Sequence, residues 1–193
     1  MKSRIFTIAL LCIFSMSFAQ EAEKLSDIPA GYQFVKAGIN FSTTKQGDVK
    51  TNNFSVLPVY GMFIAKNVSV ALGIGYNNSK SEFNNTTTSE NNGVTFIGLA
   101  RQYKHIAAPF YIFLQQDLYY SSSKDKISNI DTKGFGAGIS PGFNYFFSDH
   151  ISADITYGRL GFDSSKPDGG TSADTFGLKV DMFAMTFGLL YSW

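Results

Sequence analysis

Large apolar residues recur at every second position along most of this chain. The clearest run closes it: Phe183, Met185, Phe187, Leu189, Tyr191 and Trp193 fall on one parity, and Met182, Ala184, Thr186, Gly188, Leu190 and Ser192 on the other. A period of two means a strand with two unlike faces. Val68, Val70, Leu72, Ile74 and Tyr76 set against Ser69, Ala71, Gly73, Gly75 and Asn77 repeat the pattern. Eight such stretches are predicted, near residues 32–43, 54–65, 68–76, 94–103, 110–120, 135–146, 151–162 and 176–193. Pro58 predicts a bulge in the second, because proline offers no N–H to a ladder. The fourth leaves its two faces undecided.

The connections alternate in length. Residues 66–67, 104–109 and 147–150 are tight, whereas 44–53, 77–93, 121–134 and 163–175 are longer, polar and predicted as loops. An even strand count puts both chain ends on the tight-turn side. The closing strand is about long enough to cross a bilayer, which takes roughly 9–11 tilted residues. The second face is rich in Gly, Ser, Thr and Asn. An eight-stranded interior has room only for side chains, so this face suits a tight polar lumen, with the large apolar residues turned outward to lipid. On that reading Gly73 accepts a serine at little cost.

Composition sharpens the picture. Of 193 residues 16% are aromatic and 16% charged, below the roughly 25% charged residues of soluble domains. Mean hydropathy is near zero, as alternation requires. Lys2 and Arg4, the apolar residues 5–14 and Ser17-Phe18-Ala19 form a secretory signal cleaved before Gln20. The expected organisation is a signal peptide at 1–19, a periplasmic lead-in at 20–30 and a barrel at 31–193. Cys12, the lone cysteine, lies inside the apolar stretch and is set aside as a lipidation site. The mature chain then has no disulfide and no thiolate chemistry. Its formal charge changes from +1 to −1, leaving no basic patch for nucleic acid.

The signal peptide, the strand at 68–76, Ser140-Pro141-Gly142-Phe143-Asn144-Tyr145 and the aromatic C-terminus resemble the OmpX/OmpA-like eight-stranded barrels, the outer membrane protein beta-barrel domain class. The resemblance implies an all-β, transmembrane, antiparallel up-and-down barrel in the outer membrane of a Gram-negative cell. The Asn/Thr/Ser loops resemble members from Bacteroidota. In such barrels a terminal aromatic after alternating apolar residues is read by the barrel-assembly machinery. That gives Phe187, Leu189, Tyr191 and Trp193 the role of insertion signal. Outer-membrane lipid, lipopolysaccharide and a host or surface ligand are the other expected partners. A monomer is expected, with no cofactor.

Lys36, Arg101, Asp117 and Asp154 fall on predicted interior faces. Buried charges must be paired, so they predict a plug of ion pairs, with a narrow ion path as the alternative. Arg159 has lipid-facing parity near the outer rim, where it would snorkel or meet a lipopolysaccharide phosphate. His150-Ile151-Ser152 suggests a catalytic pair, but His150 and His105 fall at tight turns and no carboxylate is placed to orient a base. Two histidines without a third ligand make a weak metal site. The expected function is non-enzymatic: structure, adhesion or surface interaction through extracellular loops. A lipid-modifying enzyme and a narrow pore for small solutes are the alternatives.

Overall fold

The computed structural model describes residues 27–84, 86–107, 109–180 and 186–193. The predicted signal peptide, with Cys12, and residues 20–26 lie outside the described residues. Ten strand segments follow in order: β1 (Gln33–Gln46), β2 (Val49–Ala65), β3 (Val68–Phe83), β4 (Thr86–Ala107), β5 (Phe110–Asp125), β6 (Ile130–Phe146), β7 (Ile151–Thr156), β8 (Arg159–Pro167), β9 (Ala173–Lys179) and β10 (Thr186–Ser192). Neighbours from β1 to β6 pair antiparallel in sequence order, β6 pairs with β7, β7 with β10, and β10 returns to β1. β8 takes the remaining half of β6, and β9 pairs with β8. The ring has eight staves, the seventh built from β7 and β8 and the eighth from β9 and β10. Closure through β1, β10 and β7 spares that half of the ring an unpaired edge, which hydrocarbon penalises heavily; among the described residues β9 pairs with β8 alone.

Alternation along each stave sorts the side chains. Ile39, Leu72, Ile74, Phe96, Leu118, Phe143, Phe187 and Leu189 project outward, Leu72 with 74% of its surface exposed. Such an apolar band is costly in water and favourable in lipid. No helix among the described residues is long and apolar enough to cross a membrane.

One end of the ring carries tight turns. Asn67 has φ 58°, the left-handed residue that closes the β2–β3 turn beside a register shift between Phe63 and Ala65. The other end departs from expectation. The predicted loops are mostly strand: β3 and β4 stay paired from Asn77↔Gly93 to Phe83↔Thr86, and β5 and β6 from Ser121↔Gly134 to Asp125↔Ile130. Apart from Phe83 and Ile130 at their tips, both faces of these extensions are polar, so they show no period-two signal. Cross-strand bonds support them, including Thr43 Oγ1 to Asn52 Oδ1 at 2.9 Å and Ser79 Oγ to Asn53 Oδ1 at 2.7 Å.

Two further expectations are corrected by register. Pro58 makes no bulge: Val56↔Tyr76 and Val59↔Gly73 share one register, so the β2–β3 ladder skips proline without shifting. A shift occurs between β7 and β8. From Gly142↔Thr156 to Ile139↔Leu160, β6 advances three residues and its partner four. The extra residue lies at Tyr157-Gly158, where Gly158 has φ 71°. One inserted residue exchanges the faces of everything after it. Thr156 points inward, and so does Arg159.

The lumen is layered rather than uniformly polar. Near the tight-turn end Phe34, Phe63, Tyr103, Tyr111 and Phe113 are buried together, and Leu57 and Leu99 pack against them. The rings of Phe63, Tyr103 and Phe113 follow at 5.4 Å spacings. Glycines on the adjoining strands make the room. A Cβ on Gly142 would enter the Phe113 ring, and one on Gly138 would lie 2.5 Å from Arg159 Nε. Gly73 is equally confined: its Cβ would lie 2.8 Å from Val59 Cγ2 and 3.0 Å from Ile97 Cγ2. The neighbours are apolar, so serine at this position is not cheap, contrary to the sequence expectation.

Candidate functional site

All four charged residues expected inside lie inside, at two levels. Nearer the aromatic floor, Asp154 on β7 is 1% exposed and Arg101 on β4 is 2% exposed. Arg101 Nη1 reaches Asp154 Oδ2 at 2.5 Å. Reaching over Gly188 of β10, the Lys36 ammonium of β1 donates to Oδ2 at 3.0 Å and lies 2.9 Å from Oδ1. Arg101 is held further by Gln115 Oε1, 2.9 Å from Nε and 2.8 Å from Nη2, and by the face of Phe113, 4.4 Å away. Thus one carboxylate binds two cations, brought into the lumen by β1 and β4.

The second level joins Asp117 of β5 to Arg159 of β8. Arg159 Nη2 donates to Asp117 Oδ2 at 2.9 Å, and Nη1 to Asp163 Oδ1 at 2.8 Å. The Tyr119 hydroxyl also donates to Asp163 Oδ1 at 2.8 Å. The outward placement of Arg159 is therefore corrected: the insertion at Gly158 turns it into the lumen. Arg159 and Asp163 are the site residues that sequence reasoning missed. The signal was indirect, since Asp117 required a cation that neither Lys36 nor Arg101 supplies. Across both levels the acidic and basic groups match in number.

At the tight-turn end the residues before β1 form a latch. Ile28 is 5% exposed and joins the aromatic floor. Its N–H donates to Asn67 Oδ1 at 2.9 Å, and the Asn67 N–H donates to its carbonyl at 3.0 Å. Asn67 Nδ2 donates to Asp27 Oδ1 at 2.6 Å, and Lys66 pairs with Asp27 Oδ2 at 2.5 Å. The hydrogen bonds from Lys66 and then Asn67 hold the Asp27 carboxyl below the usual carboxylate range.

At the hairpin end, backbone amides of Ile127 and Ser128 and the Ser89 hydroxyl lower the Asp125 carboxyl and shape the β5–β6 tip. The histidines do not assemble a catalytic group among the described residues. His150 Nδ1 lies 2.9 Å from the Ser192 carbonyl, and His105 stacks edge-on to Tyr111 at 4.9 Å. No cluster of three or more His, Cys, Asp or Glu side chains suited to a metal occurs among the described residues. Phe187, Leu189, Tyr191 and Trp193 all project outward from the closing strand.

The family model for the outer membrane protein beta-barrel domain matches residues 6–183. No curated protein sequence matches the chain. Among solved structures, Neisserial surface protein A is 14% identical, with a TM-score of 0.42, covering 83% of this chain and 92% of that one. A major outer membrane protein from Thermus thermophilus is 13% identical, with a TM-score of 0.43, covering 84% of this chain and 100% of that one.

Proposed function

The chain belongs to the outer membrane protein beta-barrel domain family, and on that premise we propose a non-enzymatic barrel with a closed lumen and an interacting surface made by its hairpins. Its place is the cell outer membrane. The tight turns face the periplasm and the hairpins face outward, where they meet a host or surface ligand. The alternating aromatic C-terminus is offered to the barrel-assembly machinery.

One observation carries this reading. Asp154 ties Lys36 and Arg101 together across the lumen directly above a packed aromatic floor. A channel for small solutes would leave that path open. A lipid-modifying enzyme would need a nucleophile, a base and an orienting carboxylate together near the lipid. The hairpins instead offer extended polar surfaces on a rigid ring, suited to contact.

Recordings on refolded protein in planar bilayers test the closed lumen. The wild type is expected to give no steady conductance, and a persistent ohmic current would sink the reading. The surface role is checked separately. Cells carrying a β3–β4 hairpin cut back to Asn77 and Gly93 should lose adhesion to matrix-coated plates, with heat-modifiable gel mobility unchanged.

A further inference from the structure

Lys133 on β6 and Lys166 on β8 are directly opposed across the ladder. Both are exposed. They share the outward parity of Phe135 and Phe162, whereas Gly134 faces Ser121 and Ser165 in the lumen. Like charges directly opposite on neighbouring strands repel. Among the described residues no carboxylate makes an ion pair with either lysine. Asp131, next on the same face, is opposite Lys124. The cross-strand neighbour of Lys133 on β5 is Ser122.

The face below this pair is aromatic. Phe135 is 51% exposed and lies 5.9 Å, centroid to centroid, from Phe162, with Tyr120 beside it on β5. Two ammonium groups and a hydroxyl thus sit just beyond the apolar band, above rings turned towards lipid. Lysine stems can follow such apolar surface and place their charge at its border, and lysine serves phosphate as a point charge.

We propose that this outward face of β5, β6 and β8 binds a phosphate-bearing lipid of the outer leaflet. Lys133 and Lys166 share the phosphate, Ser122 donates to it, and the acyl chain packs on Phe135 and Phe162. The shared anion removes the repulsion that the two lysines otherwise impose on the ladder. A second opposed pair, Lys45 and Lys50, serves as a comparison. There Lys50 is flanked on its other side by Glu82, whose carboxylate is 2.6 Å from Lys80.

The test uses the folded full-length barrel in dodecyl maltoside with added dioleoyl phosphatidic acid or dioleoylglycerol, read by native mass spectrometry. Wild type is expected to retain one phosphatidic acid and no dioleoylglycerol. K133Q/K166Q should retain roughly tenfold less, since two charge-assisted contacts are lost. K133R/K166R and K45Q/K50Q should retain as much as wild type. The single variants K133Q and K166Q, each expected to weaken retention, keep the test decisive should the double variant misfold. Equal retention by wild type and the glutamine variants would overturn the proposal. So would equal retention of dioleoylglycerol, which would reduce the site to apolar contact. Displacement of the lipid by millimolar inorganic phosphate would also overturn it, by assigning the lysines to a free anion.

Discussion

At the scale of single residues, glycine and its partner on the adjoining strand set the fit. Gly142 receives the Phe113 ring, whereas a Cβ on Gly177 would meet nothing within 4 Å. Gly142→Ala should therefore destabilise by roughly 1–3 kcal/mol, the usual range for overpacking. Gly177→Ala should change little. Urea unfolding in lipid vesicles gives both values. Asp154→Asn should cost more, roughly 3–5 kcal/mol, because it strips the partner from buried Arg101. The same measurement reads it, and a cost no larger than that of Gly177→Ala would mean the pair is not held as described. The inward parity of Lys36, Arg101, Asp117 and Asp154 was legible in the alternation. The bulk of the neighbours on adjoining strands, Val59 and Ile97 beside Gly73, was not, because a period reports direction only. Gly73 was misjudged for that reason.

At the scale of elements, register decides more than composition. Strand phase was readable wherever one face was apolar, as along β3 and β10. It was invisible in the outer parts of β3, β4 and β5, where Asn, Ser and Thr occupy both faces. It was misread after Gly158, because one extra residue inverts the pattern without changing its period. The latch before β1 left no periodic trace, since Asp27 and Ile28 act through the Asn67 turn. It does carry a pH dependence. The Asp27 carboxyl titrates below its ordinary value in the folded state. Its contribution is thus present above the unfolded value and is lost as pH falls through the folded one. The protection factor of the Asn67 amide, corrected for intrinsic exchange, should fall over that acid window. In Asp27→Asn the dependence should vanish. A wild-type protection factor that stays level across the window would refute the latch.

At the scale of the whole molecule, closure and export meet in the last residues. Gln33 and Trp193 exchange two backbone hydrogen bonds of 3.0 Å, and Ser192 N–H donates to the His150 carbonyl at 2.7 Å. Deleting residues 191–193 therefore removes part of the ring closure together with the expected insertion signal. The folded, heat-modifiable band from outer membranes should shrink strongly. Trp193→Ala keeps the backbone bonds and removes only the aromatic. If the band depends on recognition of the terminal ring, this single change should reduce it as well. An intact band for Trp193→Ala beside a lost band for the deletion would assign the effect to closure alone.

The glycine sockets also constrain how such a barrel can drift. A lipid-facing residue such as Leu72 answers only to its solvent, so it can be exchanged one substitution at a time. Gly142 and Phe113 answer to each other across the β5–β6 ladder. Enlarging the glycine first produces a collision; shrinking the ring first leaves a void, a milder defect that the second change then repairs. The order of events is thereby restricted, and the permissive step is loss of the ring. Such a barrel accumulates independent changes on its outside and coupled, ordered changes within.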